Sequence, residues 1–178
     1  LMADGRWKLA DTPQEGKPFS EYLLAMENKS DVTIRDLVLC SSPDHRITGG
    51  VRCKGGHGLT IDNCAVKEFR WVGLHLEFTK KATVSNCLIE NASTEKHRYH
   101  GGLIRTRWLR HSRIFNNRIV STVGGGYGYK GGGHEGVRIH HNHIAVSGGF
   151  SIESAHENEY GVEIDHNYCT RCISIPKG

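Results

Sequence analysis

The chain has 178 residues, which fits one domain because domains average about 150 residues. Its formal net charge of +4 and pI near 8.8 come from mixed charges, so they permit an acidic partner without indicating nucleic acid. No run approaches the roughly 18 apolar residues of a membrane span. Residues 1–16 also lack the apolar stretch of a signal peptide. We therefore expect neither a nucleic-acid partner nor a membrane partner.

Residues 1–21 show no repeat and are predicted to form a lead-in or an incomplete coil. From Tyr22 a unit recurs whose apolar anchor residues are 27, 23, 30, 25 and 25 positions apart. A period in the twenties with inserts of variable length is typical of a stacked solenoid. The anchors are Ile34, Ile61, Val84, Ile114, Ile139 and Ile164.

Each unit contains three short strand-like segments. In the first of them, as in GLHLEF at residues 73–78, apolar and charged residues alternate, which indicates a strand with one buried face. No segment shows the apolar spacing of a helix. The sequence therefore predicts an all-β, single-stranded parallel β-helix of about six to seven coils over residues 22–178. We expect this domain to be part of a longer solenoid.

Polar residues occupy the same bend of successive units. Asn117, Asn142 and Asn167 lie three positions after their anchors and are expected to form a hydrogen-bonded ladder. Cys64 and Cys87 share that column, which favours buried free thiols, although disulfides and a weak metal site at Cys169 and Cys172 stay open. The redox compartment is therefore undecided. His141 and His166 share the preceding column and are interpreted as bend residues rather than metal ligands.

These features resemble a known family. The stretch NKSDVTIRDLVL at residues 28–39, the repeated bends and the GLHLEF-type strands are similar to the right-handed parallel β-helix superfamily of pectate-lyase-like proteins. The resemblance covers roughly residues 22–178 and implies a right-handed coil. It also implies a substrate groove over the outer face of the first strand, and the leading hypothesis is a secreted or periplasmic enzyme acting on an acidic polysaccharide.

The outward positions of the first strands form a charged ribbon. Because neighbouring coils lie about 4.8 Å apart, a linear acidic polymer would meet a cation at nearly every coil. Arginine suits such a partner because its guanidinium binds carboxylate or sulfate through two hydrogen bonds. The predicted substrate-binding residues of this ribbon are Arg52, Lys54, His75, Glu77 and Glu153, with Tyr127 beside them.

The chemistry that fits this ribbon is β-elimination of a uronate-containing polysaccharide. It needs a cation that neutralises the uronate carboxylate, a base that removes the adjacent proton and an acid for the leaving oxygen. Arg105 or Arg107 is predicted to neutralise the carboxylate and Lys130 to act as the base. Three residues are candidate proton donors, of which Tyr129 is the weakest because the alternation points it inward: His134, Tyr129 and Tyr127.

Two further segments are candidates for binding. The insertion from Asn91 to Gly102 is the longest, and insertions in a solenoid often carry binding residues. We expect it to form a wall of the groove through His97, Arg98, Tyr99 and His100. The acidic turn after the first strand of the sixth unit offers the oxygen ligands that calcium prefers, although such turns are often only solvated. Its candidate ligands are Glu153, His156, Glu157 and Glu159.

Two other functions remain open. A glycoside hydrolase of the same fold needs two carboxylates about 5–10 Å apart. Glu77 and Glu153 fit this poorly because they are predicted to lie three coils apart, and Glu153 with Glu157 or Glu159 fits only loosely. A non-catalytic, glycan-binding or adhesin-like β-helix would carry the same charges, and each ribbon residue has a simpler interpretation as part of a solvated face with cross-strand pairs. Open coil ends expose strand edges and favour self-association.

Overall fold

The computed structural model describes residues 22–42, 47–91, 102–122, 127–154 and 159–175. These segments form strands and contain no helix, so none of them offers a long apolar helix that would cross a membrane. The strands, in chain order, are β1 (Tyr22–Glu27), β2 (Thr33–Arg35), β3 (Val38–Cys40), β4 (Gly49–Lys54), β5 (Thr60–Asp62), β6 (Ala65–Lys67), β7 (Val72–Glu77), β8 (Thr83–Ser85), β9 (Leu88–Glu90), β10 (Gly102–Arg107), β11 (Arg113–Phe115), β12 (Arg118–Ser121), β13 (Tyr127–Gly131), β14 (Arg138–His140), β15 (His143–Val146), β16 (Ile152–Ser154), β17 (Glu163–Asp165), β18 (Tyr168–Cys169) and β19 (Ile173–Ser174).

The strands stack into three parallel sheets, each built from every third strand. The first sheet has the order β1-β4-β7-β10-β13-β16-β19. The second runs from β2 to β17 and the third from β3 to β18, each with six strands. Six coils and the opening strand of a seventh are therefore described, which confirms the predicted all-β parallel solenoid.

The second and third sheets each line the interior with one column of apolar side chains, and the longer strands of the first sheet contribute more than one. The anchor residues pair in register from Ile34 to Ile164, and all of them except the last are buried. The first sheet contributes a matching column from Leu24 to Ile152. Stacking of one column on the next gives a continuous core, because every coil covers the apolar face of its neighbour.

The polar bend between the second and third sheets has a left-handed backbone in every coil. Its residues have φ between 49° and 58°, a region that Asn and Asp tolerate better than other side chains because they hydrogen-bond locally. Two histidines take this conformation in the last coils, and their rings stack with centroids 4.9 Å apart. The column consists of Asp36, Asn63, Asn86, Asn116, His141 and His166.

The predicted asparagine ladder is confirmed. Asn117 Nδ2 donates to Asn142 Oδ1 at 3.0 Å, and Asn142 Nδ2 donates to Asn167 Oδ1 at 2.9 Å. The same amides donate to buried backbone carbonyls, as Asn142 does to Ile114 O at 2.9 Å. The ladder therefore satisfies polar groups at a bend where no sheet hydrogen bond reaches them.

The cysteines are free thiols throughout, as the leading interpretation held. Cys64 and Cys87 are each 2% exposed and continue the column of the asparagine ladder, and the Cys87 N–H donates to Asn117 Oδ1. Burial raises the pKa of the Cys87 thiol to about 12. Cys169 and Cys172 are not disulfide-bonded either, and Cys172 is exposed.

The strands of the first sheet depart from strict inward–outward alternation near their start, and one further column of residues faces outward as a result. Near the start of these strands two successive residues face the core, as Gly50 and Val51 do and as Leu103 and Ile104 do. The residue that precedes each pair consequently faces outward. Tyr22 belongs to this column and packs with Trp71 and Val72 in a small apolar cluster that is separate from the main core.

Candidate functional site

The outer face of the first sheet carries the predicted charged ribbon in the predicted register. In the strand register, each of the following residues lies beside the next one on the neighbouring coil: Arg52, His75, Arg105, Lys130 and Glu153. The second column pairs Lys54 with Glu77 and Glu77 with Arg107. Around the third coil these side chains form a group that we call the outer-face cluster: Tyr22, Arg52, Trp71, His75, Glu77 and Arg105.

A chain of hydrogen bonds and ion pairs runs through the outer-face cluster. Tyr22 Oη lies 2.8 Å from His75 Nδ1, and His75 Nε2 lies 3.4 Å from Glu77 Oε1. Glu77 Oε2 in turn accepts from Arg52 Nη2 at 3.2 Å. An ionised carboxylate only accepts, so we assign the His75 proton to Nε2, which faces Glu77, and with this assignment His75 Nδ1 accepts from the Tyr22 hydroxyl.

Aromatic rings hold the charged groups of the outer-face cluster in place. The Arg52 guanidinium lies over the Tyr22 ring at 5.7 Å, and that of Arg105 lies over the Trp71 ring at 4.9 Å. Trp71 also meets the His75 ring edge-on, with centroids 5.4 Å apart. Tyr22, Trp71 and His75 are only 7–8% exposed, so the hydrogen bond between Tyr22 and His75 acts in a medium of low dielectric constant.

Gly49 explains why the Tyr22 ring lies against the sheet. A Cβ atom at Gly49 would overlap the Tyr22 ring, because Gly49 is the register partner of Tyr22 on the next coil. The missing side chain therefore leaves the space through which the Tyr22 hydroxyl reaches His75 on the coil beyond. Gly49 is a positioning residue for Tyr22.

The protonation states of the outer-face cluster follow from burial and its arginines. Burial lowers the pKa of His75 to about 4, against the opposing attraction of Glu77, and Arg105, Arg52 and Arg107 lower it further. Burial raises the pKa of Tyr22, although Arg52 and Arg105 oppose this. At neutral pH the imidazole is therefore neutral and the phenol keeps its proton.

Arg52 has an unused donor in this site. Its Nε atom is buried and has no hydrogen-bond partner among the described residues, while the side chain as a whole is 37% exposed. A buried donor without a partner costs free energy, so such groups often mark the place of a ligand. Arg107, one column away, is exposed, and Lys54 forms an ion pair with Glu27 at 3.2 Å.

Lys130, the predicted base, is engaged with other protein groups. Its Nζ lies 2.5 Å from Glu153 Oε2 and 4.2 Å from the centre of the Tyr127 ring. The two charged side chains are only 16% and 17% exposed. Tyr127 stacks on Phe150, with centroids 5.9 Å apart. Lys130 is therefore the register neighbour of Arg105 on the next coil, but its ammonium is held by Glu153 and Tyr127, and its role as a base stays a prediction.

Two predicted proton donors lie inside the solenoid. Tyr129 and His134 are each 1% exposed, and Tyr129 Oη contacts Thr106 Oγ1 at 2.6 Å and His134 Nε2 at 2.9 Å. His134 Nδ1 accepts from the Leu109 N–H at 3.1 Å. At these buried positions neither side chain faces a polymer on the outer face, so the structure does not support their assignment as proton donors. Tyr127 lies on the outer face and stays a candidate.

The remaining predicted residues are only partly covered by the structure. His97, Arg98, Tyr99, His100, His156 and Glu157 lie outside the described residues. Within the described ranges, no group of three or more His, Cys, Asp or Glu side chains is arranged to hold a metal ion. Of the proposed calcium ligands, Glu153 pairs with Lys130, and Glu159 Oε1 accepts from the Gly133 N–H at 3.1 Å. Calcium binding stays a prediction.

Sequence reasoning missed three residues of this site: Tyr22, Gly49 and Trp71. The period-two pattern assigns Tyr22 to the inward column of Leu24, because it does not register the extra inward residue near the start of each strand. Trp71 precedes β7 and carries no repeat signal. The alignment of Gly49 with Tyr22 one coil away was the sequence feature that could have indicated this placement of Tyr22.

The fold and this face define a parallel β-solenoid with a charged, partly buried site on one sheet. Residues 22–174 match the family model of the right-handed β-helix region, and the chain therefore belongs to the right-handed β-helix family. Among solved structures it is similar to a protein from Parabacteroides merdae provisionally named a glycosyl hydrolase, with 12% identity and a TM-score of 0.62. That likeness covers 83% of this chain and 78% of the other and shows the fold alone. No curated protein matches the sequence.

Proposed function

We propose that this protein is a polysaccharide-active enzyme outside the cytoplasm, a lyase that cleaves a uronate-containing polysaccharide by β-elimination at the outer-face cluster. The observation that carries the proposal is the 2.8 Å hydrogen bond between Tyr22 and His75 among several arginines. The family supports it by providing an extended outer face along the coil axis. The name of the Parabacteroides merdae protein also points to glycans, although to hydrolysis.

The first requirement of β-elimination is neutralisation of the uronate carboxylate. Withdrawal of its negative charge makes the proton on the adjacent carbon more acidic and stabilises the anion that forms. Arg107 is exposed, Arg52 offers its unpaired Nε, and Arg105 is fixed over Trp71. We assign the neutralising role to Arg105 and Arg107, with Arg52 as a third contact.

The second requirement is a group that moves the proton. Tyr22 Oη accepts the proton from the sugar carbon while its own proton passes to His75 Nδ1, and Glu77 stabilises the imidazolium that forms. The two transfers occur together, because burial raises the pKa of Tyr22 and makes a free phenolate costly. The carbon–oxygen bond to the leaving sugar then breaks as the double bond forms. Tyr22 Oη returns a proton to the leaving oxygen, so no proton is gained or lost by the protein.

A glycoside hydrolase is the second candidate, and one observation favours it. Glu27 and Glu77 occupy the same outward column two coils apart, with Lys54 between them. Two coils correspond to about 9.6 Å, close to the upper end of the roughly 6.5–9.5 Å that separates the carboxylates of inverting hydrolases. The earlier pair, Glu77 and Glu153, lies three coils apart in the structure.

One assay separates the candidates. The protein is incubated with polyuronates and glycosaminoglycans, with and without calcium, and both the ultraviolet absorbance of unsaturated sugars and the reducing ends are measured. A lyase produces both signals in equal amounts, whereas a hydrolase produces reducing ends alone. Binding without either signal would contradict the enzyme proposal and favour a glycan-binding β-helix.

A further inference from the structure

The charge of the outer face changes along the coil axis. Over the second to fourth coils the two outward columns of this face carry the positive charges of Arg52, Arg105 and Arg107 and the negative charge of Glu77. His75 adds no charge because it is neutral at neutral pH. Lys54 of this stretch is compensated by Glu27. Over the fifth and sixth coils the described outward residues of the same columns carry one cation and one anion, Lys130 and Glu153. Among the described residues of these two columns, the net positive charge therefore lies over the second to fourth coils.

The neutral half is tightly compensated and partly apolar. Lys130 Nζ and Glu153 Oε2 are 2.5 Å apart, and less than a fifth of either side chain is exposed. The Lys130 ammonium also lies over the Tyr127 ring, which stacks nearly parallel to Phe150 at an interplanar angle of 11°. A second carboxylate placed here would gain little from Lys130, whose charge is already paired, and would be repelled by Glu153.

An uncharged sugar suits this half better. Its hydroxyl groups can hydrogen-bond to a paired lysine and glutamate without disturbing their charge balance, and its carbon–hydrogen face can pack on the partly exposed Phe150 ring. An acidic sugar suits the arginine-rich half, where Arg52 Nε is a donor without a hydrogen-bond partner among the described residues. In the other half, the buried Glu153 Oε2 forms the ion pair with Lys130 and is an acceptor that no described residue hydrogen-bonds.

We propose that the substrate of this face is a mixed polysaccharide, with an acidic sugar over the second to fourth coils and an uncharged sugar over the fifth and sixth. Glu153 is the residue that disfavours a homopolymer of uronic acid, because it cancels the charge of Lys130. The inference rests on the proposed function only for cleavage, since the binding preference does not require any reaction.

The test compares two panels of oligosaccharides of equal length by isothermal titration calorimetry. The homopolymers are polygalacturonate, polymannuronate and polyguluronate. The mixed polymers are hyaluronan, unsulfated chondroitin and heparosan, in which acidic and uncharged sugars alternate. The proteins are the wild type, Glu153→Gln, and the double variant Lys130→Gln/Glu153→Gln, which is again neutral at this position.

We expect the tightest ligand of the wild type to be a mixed polymer. Glu153→Gln should strengthen binding of the homopolymers by about fivefold, the effect of one partly exposed charge pair, and leave the mixed polymers nearly unchanged. The double variant should return to the wild-type preference. Unfolding midpoints of the three proteins verify that each is folded at the temperature of the titration.

A homopolymer as the tightest ligand, or an equal effect of Glu153→Gln on both panels, would overturn the inference. Equal cleavage of both panels would overturn it as well and would leave the proposed lyase intact. A binding preference for mixed polymers without any unsaturated product would overturn the lyase and keep the inference. Binding of neither panel would overturn both.

Discussion

His75 shows how one side chain acquires an unusual protonation state. Transfer of the imidazole out of water disfavours its charged form, and Glu77 offsets only part of that cost because three arginines act in the opposite direction. The pKa of about 4 therefore follows from burial on the outer face of a sheet. The neutral imidazole of His75, hydrogen-bonded to the Tyr22 phenol, can receive the phenol's proton at neutral pH, as the proposed elimination requires.

The same pKa predicts a stability effect of His75. Between pH 6.5 and about 4 the unfolded chain binds a proton at this residue and the folded chain does not, so the free energy of unfolding falls as the pH falls. We expect the urea midpoint of the wild type to drop between pH 7 and pH 4.5 by more than that of His75→Gln. His57→Gln, at an exposed position outside the outer-face cluster, controls for the loss of an imidazole as such. Equal drops in wild type and His75→Gln would show that folding does not lower the pKa of His75.

Gly49 predicts an effect that acts through Tyr22. Gly49→Ala places a methyl group where the Tyr22 ring lies and should break the Tyr22–His75 hydrogen bond. We expect kcat to fall about 100-fold, as loss of a positioned proton-transfer group does, and the NMR titration of His75 to shift. An unchanged His75 titration would contradict the positioning role of Gly49, whatever the activity.

At the scale of elements, the asparagine ladder fixes the bend between the second and third sheets. Asn142 Oδ1 accepts from both the backbone N–H and the side-chain amide of Asn117, each at 3.0 Å. The sequence predicted this ladder because its signal is local: the same residue type recurs at the same distance from an apolar anchor. The predicted strand register was right for the same reason.

Removal of one ladder member should be costly. Asn142→Ala leaves the Asn117 N–H and the Ile114 carbonyl without partners in a buried bend, and we expect the free energy of unfolding to fall by about 3 kcal/mol. Asn116→Gly is the matched control on the same bend, because Asn116 is exposed and glycine tolerates its φ of 55°. Its cost should stay within about 0.5 kcal/mol. Similar losses in the two variants, measured by urea unfolding, would contradict the ladder's role.

At the scale of the whole molecule, the described residues of the last coils expose several large apolar side chains. Ile173 continues the inward column of the first sheet and is 45% exposed, and Ile175 is 59% exposed. Tyr160 and Tyr168 in the sixth coil are also largely exposed. This surface is the place where the expected self-association would occur, because exposed apolar side chains and strand edges favour pairing with another copy.

We expect the chain to self-associate through this last coil. Sedimentation velocity should show a concentration-dependent dimer for the wild type, and Ile175→Lys should weaken it by placing a charge in the contact. Val38→Lys, at an exposed position of the first coil, is the control and should dimerise as the wild type does. A wild type that remains monomeric at all concentrations would contradict the prediction.

The sequence predicted the fold and the charged columns but not the composition of the site. Repeats determine which residues align along the axis, so the pairing of Arg105 with Lys130 and of Lys130 with Glu153 followed directly. Which aligned groups bind one another depends on side-chain volume and on bends of the chain. Those effects turned Tyr22 outward and His134 inward, and a period-two pattern does not encode them.

The rate of unsaturated-sugar formation by Tyr22→Phe tests the central claim most directly. The substitution keeps the ring beneath Arg52 and removes only the hydroxyl that bonds to His75. On the best substrate of the wild type, kcat measured by ultraviolet absorbance should fall by about 100-fold to 10,000-fold, while substrate affinity changes little. Tyr160→Phe, at an exposed tyrosine of the sixth coil, should keep the wild-type rate. A Tyr22→Phe variant that retains the full rate would show that elimination, if it occurs on this protein, does not use the outer-face cluster.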